Sequence, residues 1–144
     1  MNQKIEQRCK DVVTPSLAAP LEYVCSVDVV QIGKVSARKQ VIVSLVVGIL
    51  TAGIVLVALR PRAYYLVLTN QRLLLLDNNR GRVGTKIVLA APLNQVLAGP
   101  LRGGALTYKL DVAVAGVAHR FSWGRVQGGT ARRVAEALGA PARV

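Results

Sequence analysis

Residues 64–77 read YYLVLTNQRLLLLD. Two apolar runs, Tyr64–Leu68 and Leu73–Leu76, flank a polar break at Thr69-Asn70-Gln71. Aromatic, Val and Leu residues favour strands, and the break favours a tight turn. The spacing predicts strands over 63–69 and 71–77, paired antiparallel. Outward from this pair the pattern continues. Asp77-Asn78-Asn79-Arg80-Gly81 reads as a second turn, 83–90 as a strand, and 93–98, after the interruption at Pro92, as a short one. Gly99-Pro100 and Gly103-Gly104 bracket a loop. In 105–114, Leu106, Tyr108, Leu110, Val112 and Val114 alternate with Thr107, Lys109 and Asp111. In 117–123, Val117, His119, Phe121 and Trp123 alternate with Ala118, Arg120 and Ser122. A period of two is that of half-buried strands, and Ala115-Gly116 supplies the hairpin between them. Gly128-Gly129 ends the sheet, and Thr130 is placed to cap a helix over 131–138 with Val134 and Leu138 on one face. Gly139 and Pro141 stop that helix, which must cover the open end of the sheet.

In the other direction lies a different kind of sequence. Residues 41–59, VIVSLVVGILTAGIVLVAL, contain no charge, Pro, Asn or Gln. As a helix they would be roughly 28 Å long, close to the ~30 Å hydrocarbon core of a bilayer. The flanks are basic: Lys34, Arg38 and Lys39 before, Arg60 and Arg62 after. The expectation is a membrane segment whose flanks form a basic patch facing anionic headgroups. Ser44, Gly48 and Ala52 fall on one stripe, the kind of small-residue seam through which helices self-associate in lipid. The slight excess of Lys and Arg after the block places the C-terminal part in the cytoplasm. Further upstream, 22–32 alternates as a strand, and 2–13 reads as a short amphipathic helix through Ile5, Cys9, Val12 and Val13.

Composition narrows the function. The chain has 144 residues, 19 Lys+Arg against 7 Asp+Glu, and a net charge of +12. Residues 60–144 carry thirteen of the bases and three of the acids. Cys9 and Cys25 are too few for a disulfide framework or a zinc knuckle. The single His119 excludes a multi-histidine metal site, and on the apolar face of its strand it reads as a satisfied core or rim histidine. The carboxylates form no acid–base pair, and Ser, Cys and His form no nucleophile signature. The expectation is a protein that is not an enzyme and has no catalytic residues, metal or cofactor.

The stretch at 64–77 resembles the signature of bacterial pleckstrin-homology-like (PH-like) domains: an aromatic strand, then Leu-Thr-x-x-Arg-Leu, then an apolar strand ending in an acid or turn. Leu68, Thr69, Arg72 and Leu73 match it. Leu17 to Tyr23 is similar to the opening of the same families, a leucine and then a glutamate a few residues on, with Ala19-Pro20-Leu21 where Pro-Gly usually precedes the Glu. The resemblance implies an α+β, mainly β fold: a bent antiparallel sheet or partly open barrel of six or seven strands, capped by a C-terminal helix. Arg72 would then reach carbonyls or an acid at the strand ends.

The expected organisation is an N-terminal helix and strand over 1–40, a membrane helix over 41–59 and a PH-like domain over 60–144. A full span is the expectation. If the strand at 22–32 belongs to the sheet, the apolar block becomes a re-entrant insertion instead. The expected function is a non-enzymatic, membrane-anchored interaction or scaffolding module at the cytoplasmic face of the cell membrane, binding anionic headgroups and a protein partner and self-associating. A pore-forming oligomer and a membrane-tethered nucleic-acid-binding factor are the alternatives. Against the last, no nucleic-acid motif is present and aromatics make up 4% of the chain.

Overall fold

The computed structural model describes residues 3–18, 20–34, 55–56, 62–114 and 117–140. Helix α1 (Gln3–Val13) precedes β1 (Val24–Lys34), β2 (Val55–Leu56), β3 (Arg62–Thr69), β4 (Arg72–Asn79) and β5 (Arg82–Pro92). Then come β6 (Val96–Ala98), β7 (Arg102–Gly103), β8 (Thr107–Val114), β9 (Val117–Gly124) and helix α2 (Gly128–Ala137). The strands form one antiparallel sheet in the order β2-β5-β4-β3-β1-β9-β8-β6, with β7 beside β8.

Three expectations are corrected. The sheet has nine strands rather than six or seven, because β1 bridges β3 to β9 and both β2 and β7 are added to it. Among the described residues no helix is long and apolar enough to cross a membrane. Within the apolar block itself, Val55 and Leu56 are a strand, paired with Ala90 and Leu89 on β5. A helix running unbroken through 41–59 is therefore overturned. The edge of β5 has backbone donors and acceptors to satisfy, and a β-branched, apolar stretch of the same chain satisfies them locally.

The third correction concerns the full span. Ile32 lies opposite Arg62 in the β1–β3 pairing, so the chain leaves β1 and enters β3 at the same end of the sheet. A single crossing would separate these points by a bilayer thickness. The remaining residues of the 41–59 block, including Ser44, Gly48 and Ala52, lie outside the described residues.

The YYLV and LLLL runs are continuous because the sheet is covered on both sides. On the inner face Tyr64, Leu66 and Leu68 of β3 and Leu73 and Leu75 of β4 join Phe121 and Trp123 of β9, Val134 of α2 and Leu138 just after that helix. On the outer face Tyr65, Val67, Leu74 and Leu76 pack with Cys9 and Val13 of α1. Alternate residues of one strand thus enter two different cores. Strands buried on both faces lose the polar alternation that β8, with one solvated face, retains.

Helix α2 begins at Gly128 rather than after Thr130, because a 3₁₀ turn over Arg125–Gln127 feeds directly into it and no side chain caps its start. Gly84 on β5 lies tight against β4. A Cβ there would lie 2.8 Å from Asp77 Cβ and 3.0 Å from the Asp77 carbonyl oxygen, where the β4–β5 register shifts. Backbone on the facing side cannot swing away as a side-chain tip could. Gly84→Ala is therefore expected to destabilise the chain by about 1–3 kcal/mol in chemical denaturation. An unchanged midpoint would show that the strands separate freely at this point.

Candidate functional site

Most acidic side chains serve the fold. Glu22, 3% exposed, sits just before β1 and is held by the 69–72 corner. Arg72 Nε donates to its Oε2 and a terminal Arg72 nitrogen to its Oε1, both at 2.9 Å. Thr69 Oγ1 donates to Oε2 at 2.7 Å and the Ala18 N–H to Oε1 at 3.1 Å. Arg72 also donates to the Ser16 carbonyl at 2.6 Å. The guanidinium beside it holds the Glu22 carboxyl down at about 2. Asn70 completes the corner: its side chain accepts from Tyr23 N–H and donates to the Leu21 carbonyl. The Leu-Thr-x-x-Arg-Leu corner is thus a lock that fastens the N-terminal opening to the β3–β4 turn.

Four other ion pairs among the described residues also join elements. Asp28 on β1 takes Arg133 of α2 at 2.6 Å, and Asp111 on β8 takes both Arg102 and Arg120 at 2.9 Å. Asp77 takes Arg62, which also donates to the Asn78 carbonyl and lies 5.5 Å from the Tyr64 ring centre. Glu6 pairs with Lys10 within α1. Five of the seven acids are consumed in this way.

Basic side chains collect where α1 meets the β4–β5 turn. A groove of about 530 Å³ opens there, lined by Lys4, Arg8 and Asp11 of α1 and by Gly81 and Arg82. Arg80 stands at the tip of the turn beside it, exposed, with φ of 54°, and Gly81 follows at 89°. These are the backbone values of a type I′ hairpin turn. The turn is held from below: Tyr65 donates its hydroxyl to the Gly81 carbonyl at 2.8 Å, and Asn78 Oδ1 accepts from Gly81 N–H at 2.8 Å. Within the groove, Asp11 accepts from Gln7 at 2.9 Å.

Of the basic residues expected to face headgroups, Arg62 is tied into the sheet through Asp77. Lys34 ends β1 opposite His119, at the same sheet end as Arg62. Arg38, Lys39 and Arg60 lie outside the described residues. Sequence reading passed over Arg8, Arg80 and Arg82 as members of one cluster, because they come from elements seventy residues apart in the chain. The signal available was an Arg, rather than Asn, before Gly in a two-residue turn.

Two further titratable groups, Cys9 and His119, are buried. Burial pushes the Cys9 thiol up to about 11, with Glu6 adding to the effect, so the thiolate nucleophile is suppressed. His119 is buried and neutral, driven down to about 4 by desolvation, and its Nε2 has no hydrogen-bond partner among the described residues. Among those residues no group of three or more His, Cys, Asp or Glu is placed to hold a metal ion. No protein-family model matches the chain, and no curated protein matches it in sequence.

Proposed function

We propose that the chain is a non-catalytic interaction module, of the kind its resemblance to PH-like domains implies, that meets an anionic surface through its basic side chains. One observation carries the reading: the 19 Lys and Arg far outnumber the 7 acids, five of which are already held in ion pairs within the fold, which leaves a net charge of +12. A surface of this sign attracts phosphate-bearing partners over a Debye length. Anionic lipid headgroups are favoured over nucleic acid. Of the six aromatic side chains that could stack on bases, Tyr64, Tyr65, Tyr108, Phe121 and Trp123 are in the core and Tyr23 is exposed, which is too few for a stacking platform. The contact is electrostatic, between basic side chains and headgroup phosphates.

Sedimentation of the full chain with vesicles tests this. The chain is expected to pellet with phosphatidylglycerol vesicles at low salt, to be released at about 1 M salt, and to stay in the supernatant with phosphatidylcholine vesicles. Equal partition to both vesicle types, or tighter binding to a DNA duplex than to the anionic vesicles, would overturn the reading.

A further inference from the structure

The rim where β8 begins and β9 ends carries side chains that the core does not use. Leu106 is 82% exposed and Val126 99% exposed. Single apolar residues on a surface are ordinary, but these two are not scattered. Arg125 N–H donates to the Leu106 carbonyl at 3.2 Å, next to the Thr107–Gly124 pair at the end of the β8–β9 ladder, so residues 106 and 126 share one rim. Two guanidinium groups stand at the same place. Those of Arg125 and Arg132 lie 5.6 and 5.7 Å from the centre of the Tyr108 ring. Arg125 also donates to the Gly104 carbonyl, and Arg132 to the Tyr108 hydroxyl. The ring itself packs under the start of α2, where a Cβ on Gly128 would lie 3.0 Å from it. Both arginines are thus positioned by an aromatic ring, exposed, and left with further N–H donors. Among the described residues neither pairs with a carboxylate, unlike Arg62, Arg72, Arg102, Arg120 and Arg133.

We propose that this rim docks a segment of a partner protein in which an apolar side chain is flanked by carboxylates. This goes beyond the headgroup reading, and the two are tested separately. Exposed apolar side chains beside preset guanidinium groups match such a segment: the first gain by leaving water, and the second bind carboxylates through paired N–H donors. Charge complementarity decides the occupant. A second copy docked about a two-fold axis would set these arginines against each other, and one docked head to tail would need an acidic surface, while five of the seven acids are already held in ion pairs. Nucleic acid would answer the arginines and leave Leu106 and Val126 in water. A headgroup layer that meets Lys34 and Arg62 meets the other end of the sheet. Lys34 faces His119, which is five residues, or roughly 17 Å, along β9 from Gly124.

The test is selection of a phage-displayed library of random linear peptides on the full chain, followed by titration of the best peptide in synthetic form. The selected sequences are expected to combine Asp or Glu with Leu, Phe or Trp. Arg125→Gln/Arg132→Gln is expected to weaken the peptide roughly tenfold or more. Val126→Glu is expected to do the same while leaving the melting temperature unchanged, since that side chain is 99% exposed and packs on nothing. This second variant keeps the test sound if loss of the Tyr108 contacts disturbs the first. Arg82→Gln/Lys86→Gln removes the same charge from exposed positions of β5 and is expected to leave the affinity nearly as it was. Four outcomes overturn the proposal: no peptide is selected, the selected peptides lack carboxylates, they bind Val126→Glu as tightly as wild type, or the β5 control weakens them as much as the rim variants do. Displacement of the peptide by phosphatidylglycerol vesicles or by a DNA duplex also overturns it, by making the rim a headgroup or phosphate contact. Val126→Glu is expected to pellet with phosphatidylglycerol vesicles as wild type does, so failure of the rim and failure of the headgroup reading are read from different assays.

Discussion

Leu74→Ala and Leu75→Ala are each expected to cost about 2–5 kcal/mol in urea denaturation, although the two residues are neighbours on one strand. Both side chains are fully buried, Leu75 in the core shared with α2 and Leu74 in the core shared with α1. Truncating either removes several methyl and methylene groups from packed surroundings and leaves a cavity. An ordinary amphipathic strand would behave differently: one of two consecutive positions would face water and change stability by less than about 0.5 kcal/mol. A near-neutral Leu74→Ala would mean that α1 does not cover the outer face. The companion measurement is Val13→Ala, which empties the α1 side of the same core and is expected to be destabilising as well.

The second large effect is at the corner lock. Glu22→Ala or Arg72→Ala is expected to destabilise by about 3 kcal/mol, since each leaves its partner desolvated without its counter-charge. Arg72 retains some solvent contact, which places its own removal at the lower side of that figure. Glu22→Gln keeps acceptor capacity for Thr69 and is expected to cost less than Glu22→Ala. The pH dependence follows from the same contacts. The Glu22 carboxyl is lowered from 4.5 to about 2 in the folded chain, chiefly by the Arg72 hydrogen bonds. The folded state therefore binds this proton less readily than the unfolded one. Its contribution is fully present above about pH 4.5 and is lost as pH falls toward 2. Comparing denaturation of wild type and Glu22→Gln across this range isolates the effect; parallel curves would show that the lock does not depend on the carboxylate.

Much of the architecture was legible because it is local. The alternation at 105–114 and 117–123, the apolar runs around Thr69-Asn70-Gln71, and the amphipathic C-terminal helix are each read within a dozen residues. They correspond to β8, β9, the β3–β4 pair and α2. The block at 41–59 misled for a physical reason. Apolarity measures the wish to leave water, whereas an apolar segment can also join a sheet edge through backbone hydrogen bonds, which hydropathy does not report. Val55 and Leu56 make such a pairing, with Ala90 and Leu89. Hydropathy carries no information about which dry environment is available.

The candidate site was less legible still. Arg62 reads from sequence as part of a flanking basic patch, yet Asp77, fifteen residues on, claims it. Arg8 and Arg82 meet only because α1 folds across the outer face of β5. Charge sign is countable along a chain, whereas pairing depends on which elements lie side by side.

What the amino-acid sequence determined by itself is the material of the fold: a mainly β chain, a strong excess of positive charge, and the Leu-Thr-x-x-Arg-Leu corner. Periodicity, composition and turn chemistry act between near neighbours and need no tertiary knowledge. Tertiary structure alone decided that β1 bridges the two halves of the sheet, that the consecutive leucines divide between two cores, and that Glu22 is the acid Arg72 holds. These are contacts between residues far apart in the chain, and their energies exist only once the sheet has closed the distance.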